Sequence, residues 1–223
     1  MRQATVNLLA DMGVQPGTLQ SGSSAATAWA DTTGPAAAIT APAAGATVQS
    51  GSPTTPADPD TAGTEIGIRF RADVAGQVTA IRFDKSSGNT GTHVGRLWTN
   101  TGTQLAAVTF TGESASGWQQ ATLATPVTVS PGTTYVVSYF APNGRYAADT
   151  NYFRTQGVTS APLRALRDGE DGVNGVYRYG TGFPALAWGS ANYYVDVVFT
   201  PVLHGLGVTT GTRLLHPPTE GEG

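Results

Sequence analysis

A chain of 223 residues with 39% hydrophobic content has material for one sizeable core, yet only 12% of it is charged. With 29 Gly, 14 Pro and no Cys, it describes short strands joined by turns and excludes a disulfide framework or a thiolate metal site. A net charge of −3 with 12 basic residues excludes the concentrated cationic surface that nucleic acid requires, and no 18-residue apolar run marks a membrane span.

Residues 1–20 predict one short helix, with Val6, Leu9 and Met12 on one face and Gly13 as its stop. The same segment does not make a signal peptide. Its apolar run is broken by Asn7 and ended by Asp11, so the chain as written carries no export address. Residues 21–63 are almost wholly Ala, Ser, Thr, Gly and Pro, and read as a linker that buries too little apolar surface to offset its ordering entropy.

From residue 64 to 200 the period becomes two. In EIGIRFRA, Ile66, Ile68, Phe70 and Ala72 alternate with Glu65, Gly67, Arg69 and Arg71, a half-buried strand. QVTAIRFDK, HVGRLWT, QLAAVTF, WQQATLAT, VTVS and TTYVVSYF follow, separated by turn signals such as SSGNTG, TNTG and PNG. In the last run, NYYVDVVFT, Tyr193, Val195, Val197 and Phe199 share one face while Asp196 marks the other as solvated. About eight to ten strands at such spacing predict an all-β fold, an antiparallel, jelly-roll-like β-sandwich over 64–200. Residues 201–223 return to a polar tail.

Catalysis fails on inventory. Two of the three histidines, His204 and His216, lie in the tail, leaving His93. GESASG misses the G-x-S-x-G nucleophile elbow, and GLGVTTG lacks the third glycine of a dinucleotide loop. Asp168, Glu170 and Asp171 crowd one loop and cannot oppose each other across a sugar ring, although pairing with a remote acid such as Glu113 or Asp149 stays open. The expectation is no enzyme and no required cofactor.

The loop DGEDGVNGVYRYG (168–180) invites a test against calcium chemistry. Counted from Asp168, Gly172 falls at the fifth position, Val173 at the sixth and Tyr179 at the twelfth, which is not an EF-hand. Two readings remain: a structural calcium held by Asp168, Asp171, the Asn174 side chain and backbone carbonyls, or a glycine-enabled loop whose polar side chains cap local backbone. Arg164 and Arg167 are surface partners for these acids.

Aromatics next to turns carry the ligand-binding reading. Trp118, Tyr146, Tyr152 and Trp188 sit at loops or strand ends, with Asn143, Arg145 and Asn151 as hydrogen-bonding neighbours. Such rings present apolar faces to sugar CH groups, whereas the competing role is a lid on the core. Trp98, Tyr135 and Tyr139 are assigned to packing. A binder gathers at least two of the four turn aromatics on one exposed face; a spacer leaves them buried or scattered.

The order IGIRFRADVAGQVTAIRFDKSSGNTGTHVGRLWTNTGTQLAAVTF, SGWQQATLATPVTVSPGTTYVVSYF and DGVNGVYRYG ahead of NYYVDVVF resembles the bacterial family catalogued as domain of unknown function 4082, over about residues 58–201. The resemblance implies a β-sandwich accessory module of large secreted bacterial proteins, beside immunoglobulin-like modules and carbohydrate-related enzymes. It brings no established activity. RQATVNLLADMGVQPGTLQSG resembles the close of an upstream domain, and DTTGPAAAITAPAAGATVQSG the opening of an immunoglobulin-like module, so the chain is expected to be part of a longer exported protein. The expected function is a non-catalytic module, extracellular or at the cell surface, that binds carbohydrate or cell-surface polymer weakly. Its partners would be that polymer and the parent protein's other domains, with no nucleic acid and no membrane insertion. The alternative is a passive spacer or adhesion element, in a surface protein or a phage tail, with no small ligand.

Overall fold

The computed structural model describes residues 44–49 and 51–202; the helix expected over 1–20, much of the linker and the tail beyond 202 lie outside the described residues. Eleven strands follow in chain order: β1 (Thr64–Ala72), β2 (Gly76–Lys85), β3 (Val94–Thr99), β4 (Gln104–Thr109), β5 (Gly117–Val129), β6 (Tyr135–Ala141), β7 (Val158–Ser160), β8 (Leu163–Ala165), β9 (Val176–Tyr179), β10 (Leu186–Ala187) and β11 (Val195–Pro201). One sheet runs β10-β9-β1-β6-β3-β4, with β8 on the far end of β1 and β7 beside β8; the other runs β11-β2-β5. Every ladder is antiparallel, and five of the ten connections pass from one sheet to the other, so the fold is the expected all-β sandwich.

Alternation fills the space between the sheets. Ile66, Ile68 and Phe70 of β1 oppose Tyr139, Val137 and Tyr135 of β6 on the inner face. Ile81 and Phe83 of β2, with Val195, Val197 and Phe199 of β11, close on them from the second sheet. Phe83 stacks on Tyr139 with ring centroids 4.1 Å apart and meets Phe110 edge-on at 4.8 Å. Each such pair contributes about 1 kcal/mol beyond its area.

The outer faces depart from simple alternation. Glu65 is fully buried, because the chain around Phe183 covers that side of β1, β6 and β3, and Phe183 packs on Trp98, Val136 and Val176. Ser138 Oγ donates to Glu65 Oε1 at 2.6 Å, and Arg96 pairs with the other oxygen. Burial outweighs these partners and pushes the Glu65 carboxyl up to about 7.

Asp196 is likewise not on a solvated face; it is fully buried. Residues 44–49 lie over β11, with Ala46 bridging Phe199, and the Val48 and Gln49 amides donate to Asp196 at 3.0 and 2.9 Å. Arg82 approaches the same carboxylate at 3.4 Å. Burial again dominates and lifts the Asp196 carboxyl to about 6.

The linker expected over 21–63 is not a free linker in its described part. The Asp58 amide donates to the Tyr146 carbonyl at 2.8 Å, the Arg145 amide to the Asp60 carbonyl at 2.8 Å and the Ala148 amide to the Thr55 carbonyl at 3.1 Å. Backbone hydrogen bonding, not apolar burial, holds this Pro/Thr-rich segment in place.

Both raised carboxyls favour the folded state only while protonated. Their contribution is complete below about pH 4 and is lost as pH rises through about 6 to 7. Glu65→Gln should remove much of that slope. In urea unfolding, the wild type should lose on the order of 2–3 kcal/mol relative to this variant between pH 4 and pH 8.

Candidate functional site

At one end of the sandwich, residues 51–63 form a strap anchored on Asp149. This carboxylate accepts the Thr54 amide at 2.9 Å, the Thr54 hydroxyl at 2.6 Å, the Thr55 amide at 2.8 Å and the Tyr194 hydroxyl at 2.7 Å. Burial opposes its charge, but these four donors prevail and hold Asp149 below the usual carboxylate range. Beyond the anchor the strap passes over Gly144, whose φ is 60°. A Cβ there would stand 2.2 Å from the Asp60 carbonyl oxygen, so only glycine allows the approach.

The strap brings Asp58, Pro59 and Asp60 against five aromatic rings, leaving a cleft of about 270 Å3. On β9, Tyr177 and Tyr179 are two residues apart and share one face, with ring centroids 5.8 Å apart at 83°. Tyr146 and Tyr193 meet edge-on at 5.8 Å and form the deep wall, both nearly buried. Trp188 and Tyr179 stand at the rim, 55% and 58% exposed.

Asp60 is the polar centre of the cleft. The Tyr146 hydroxyl donates to it at 3.2 Å, and the charge of Asp60 reaches the Tyr179 phenol. Burial, then Asp58 and Asp60, pushes the Tyr146 phenol up; at Tyr179 the charge of Asp60 is the first cause, and at Tyr193 burial is. These phenols therefore stay neutral and able to donate.

Left-handed backbone borders the rings. Arg145 (φ 57°) precedes Tyr146, Ser190 (φ 50°) follows Trp188 by two residues, Tyr194 (φ 50°) follows Tyr193, and Gly180 (φ 74°) follows Tyr179. A non-glycine residue in this region costs about 1 kcal/mol or more, and persists where the surroundings over-determine it. The ring positions are set by the fold rather than by loop chance.

The residues singled out from sequence separate into two groups. Tyr146 and Trp188 come together in the cleft. Trp118 lies elsewhere, half-buried beneath the Arg82 guanidinium at 4.0 Å, with its indole N–H 3.3 Å from the Gly51 carbonyl. Tyr152 packs edge-on against Phe153 and Tyr194 and does not line the cleft. Asn143 fastens a turn through Thr90, at 3.1 Å to its carbonyl and 3.2 Å to its hydroxyl. Arg145 contributes backbone: its amide binds Asp60 and its carbonyl accepts the Ser86 hydroxyl at 2.6 Å. The Asn151 side-chain oxygen faces Arg154 at 3.5 Å.

Sequence reasoning missed Asp58, Asp60, Tyr177, Tyr179 and Tyr193. A signal existed for two pairs. YRYG places Tyr177 and Tyr179 on one strand face, and PADPD puts two acids into a stretch otherwise charged only at Asp31.

The 168–174 loop does not fit calcium. The Asn174 oxygen accepts the Arg69 and Gly175 amides at 2.7 and 2.8 Å, and its nitrogen donates to the Arg69 and Leu166 carbonyls at 3.0 and 2.6 Å. Asp168 accepts the Asn174 amide at 2.7 Å and the Ser190 hydroxyl, while Asp171 pairs with Arg71 at 3.2 Å. The Arg69 guanidinium donates to the Val173 carbonyl, one of the backbone oxygens a cation would need. Six to eight free oxygens are required, and here the side-chain oxygens already face amides, a hydroxyl and an arginine. Among the described residues there is no group of three metal-ligating side chains. Arg164 joins this loop through Glu170 at 3.4 Å, whereas Arg167 meets Glu170 through its amide at 3.0 Å.

The remote acids are also engaged. Glu113 holds Lys85 at 2.7 Å and the buried His93 at 2.9 Å; the other His93 nitrogen meets Asn89 at 2.8 Å. Burial lowers the His93 pKa, and this cluster ties β2 to the loop before β3.

Fold and site together define a β-sandwich module with one aromatic, acid-rimmed cleft. The family model described as "Domain of unknown function (DUF4082)" matches residues 50–195, and the chain belongs to that family. The matched stretch contains the strap and every residue lining the cleft. No curated protein matches the chain.

Asn174→Ala would strand buried backbone groups of Arg69, Leu166 and Gly175, so urea unfolding should show a loss of roughly 2–4 kcal/mol. Addition of calcium or of a chelator should leave the wild-type melting temperature unchanged.

Proposed function

We propose that this chain is a non-catalytic accessory module of an extracellular bacterial protein, and that it holds carbohydrate or cell-surface polymer in the cleft beneath the strap. The observation that carries this reading is the gathering of Tyr146, Tyr177, Tyr179, Trp188 and Tyr193 around one opening, two of them well exposed. Exposed indole and phenol rings offer flat apolar faces to sugar CH groups, and their hydroxyls, with Asp58 and Asp60, meet sugar hydroxyls. The cleft is small and open, so affinity per site is weak and becomes useful when other domains of the same protein engage the same polymer.

The carboxylates favour binding over hydrolysis. Glycosidic cleavage needs two carboxyl groups on opposite sides of the scissile bond. Asp58 and Asp60 lie on the same strap, with the Asp60 amide donating to Asp58 Oδ1 at 2.9 Å. Two adjacent acids on one wall orient a ligand; they do not flank it.

A glycan panel probed by calorimetry at millimolar concentrations tests the proposal. Trp188→Ala and Tyr179→Ala should each weaken binding at least about tenfold with little change in melting temperature, since both rings are exposed. Trp118→Ala should leave binding intact. Absence of binding to every glycan would favour the passive spacer.

A further inference from the structure

We propose that the cleft selects a cationic ligand, specifically a sugar unit carrying a free ammonium group, as in a de-N-acetylated amino sugar. This rests on the carbohydrate reading above and adds the charge of the ligand.

The first observation is where negative charge is left uncompensated. Among the described residues, Glu65, Asp73, Glu113, Glu170, Asp171 and Asp196 each have a basic group within ion-pair distance. Five have none: Asp84 and Asp149 are buried, Asp168 is occupied by the Asn174 amide and the Ser190 hydroxyl, and the remaining two, Asp58 and Asp60, line the cleft. No arginine, lysine or histidine lines the cleft, so its formal charge is negative.

The second observation is independent of the acids. The walls are five aromatic rings whose faces carry the negative end of the ring quadrupole. A ring that turns its face to a ligand therefore favours the same sign of charge as the carboxylates. Cation recognition by aromatic walls gains most when a carboxylate stands beside them, because the cation leaves water for both at once.

Donor and acceptor counts point the same way. Asp60 takes the Ala62 amide at 2.8 Å on one oxygen and the Tyr146 hydroxyl on the other; Asp58 takes the Asp60 amide on Oδ1, and its Oδ2 has no donor among the described residues. An ammonium brings three donors and no acceptor, which complements the two carboxylates of the strap. A sulfate brings only acceptors, which the carboxylates repel, and an acetamide brings a single donor and no charge. The volume, about 270 Å3, sits just under the lower end of ordinary small-molecule sites, about 300 Å3, which suits one sugar unit with its amine directed to Asp58.

The experiment is calorimetry on the full chain at a pH of about 5.5, where the sugar amine is protonated. The probes are the β-1,4 glucosamine trimer, its fully N-acetylated counterpart, the glucose trimer and choline chloride. The glucosamine trimer should bind at least tenfold more tightly than either neutral trimer, and the preference should shrink as salt is raised. Asp58→Asn and Asp60→Asn, each checked for an unchanged circular dichroism spectrum and melting temperature, should erase it without abolishing residual binding.

Equal affinity for the charged and neutral trimers would overturn the charge selectivity while leaving the carbohydrate reading intact. A preference that survives both Asp→Asn variants would overturn it as well. Binding of choline with no binding of any trimer would uphold a cation-selective cleft and overturn the carbohydrate reading. Failure of all four probes to bind would overturn both.

Discussion

Everything at the cleft depends on Asp149 holding the strap. A run of Ser, Pro, Thr and Ala has little apolar surface to bury, and ordering each residue costs about 1–2 kcal/mol. Four hydrogen bonds to one carboxylate, three of them from Thr54 and Thr55, offset part of that cost where hydrophobic burial cannot. The same carboxylate takes the hydroxyl of Tyr194, the residue that follows Tyr193 in left-handed backbone. One side chain therefore positions the strap bearing Asp58 and Asp60 and also the backbone turn that sets a ring of the opposite wall.

A second consequence is electrostatic. Several acids elsewhere on the sandwich have basic partners: Glu113 has Lys85, Asp171 has Arg71, and the buried Glu65 and Asp196 have arginines and raised pKa values, while Asp149 and Asp168 are held by amide and hydroxyl donors. Truncating such partners would leave charge stranded in a poorly solvated place. At the cleft the arrangement differs, with two carboxylates presented to aromatic faces and to solvent. Asp58 Oδ2, with no donor among the described residues and aromatic rings beside it, is the physical basis for assigning this wall to a ligand.

Much of the scaffold was legible from period-two patterning, because Ile66, Ile68 and Phe70 or Ile81 and Phe83 are buried by strands of the same sandwich. Glu65 and Asp196 misled for the opposite reason. Their faces are covered by chain far away in sequence, Phe183 over one and Val48–Gln49 over the other, and local alternation carries no trace of such cover. Turn-adjacent aromatics were a sound class of candidate but not a discriminating one. Trp188 and Trp118 share the same local signature, yet Trp118 is capped by Arg82 and the strap while Trp188 stays open. The DGEDGVNG loop shows the same limit: its ligand-like residues are spent on Arg69, Arg71 and backbone amides that only the folded register brings near.

The central claim is that the strap and the rings form one ligand site. Its most direct test is a 15N–1H correlation spectrum recorded while the glucosamine trimer is titrated into the full chain. The account predicts shifts confined to the amides of Asp58 and Asp60, of residues 177–180 and 188–194, and to the Trp188 indole N–H. Shifts centred instead on Trp118, Tyr152 or the 168–174 loop, or an unchanged spectrum, would contradict it.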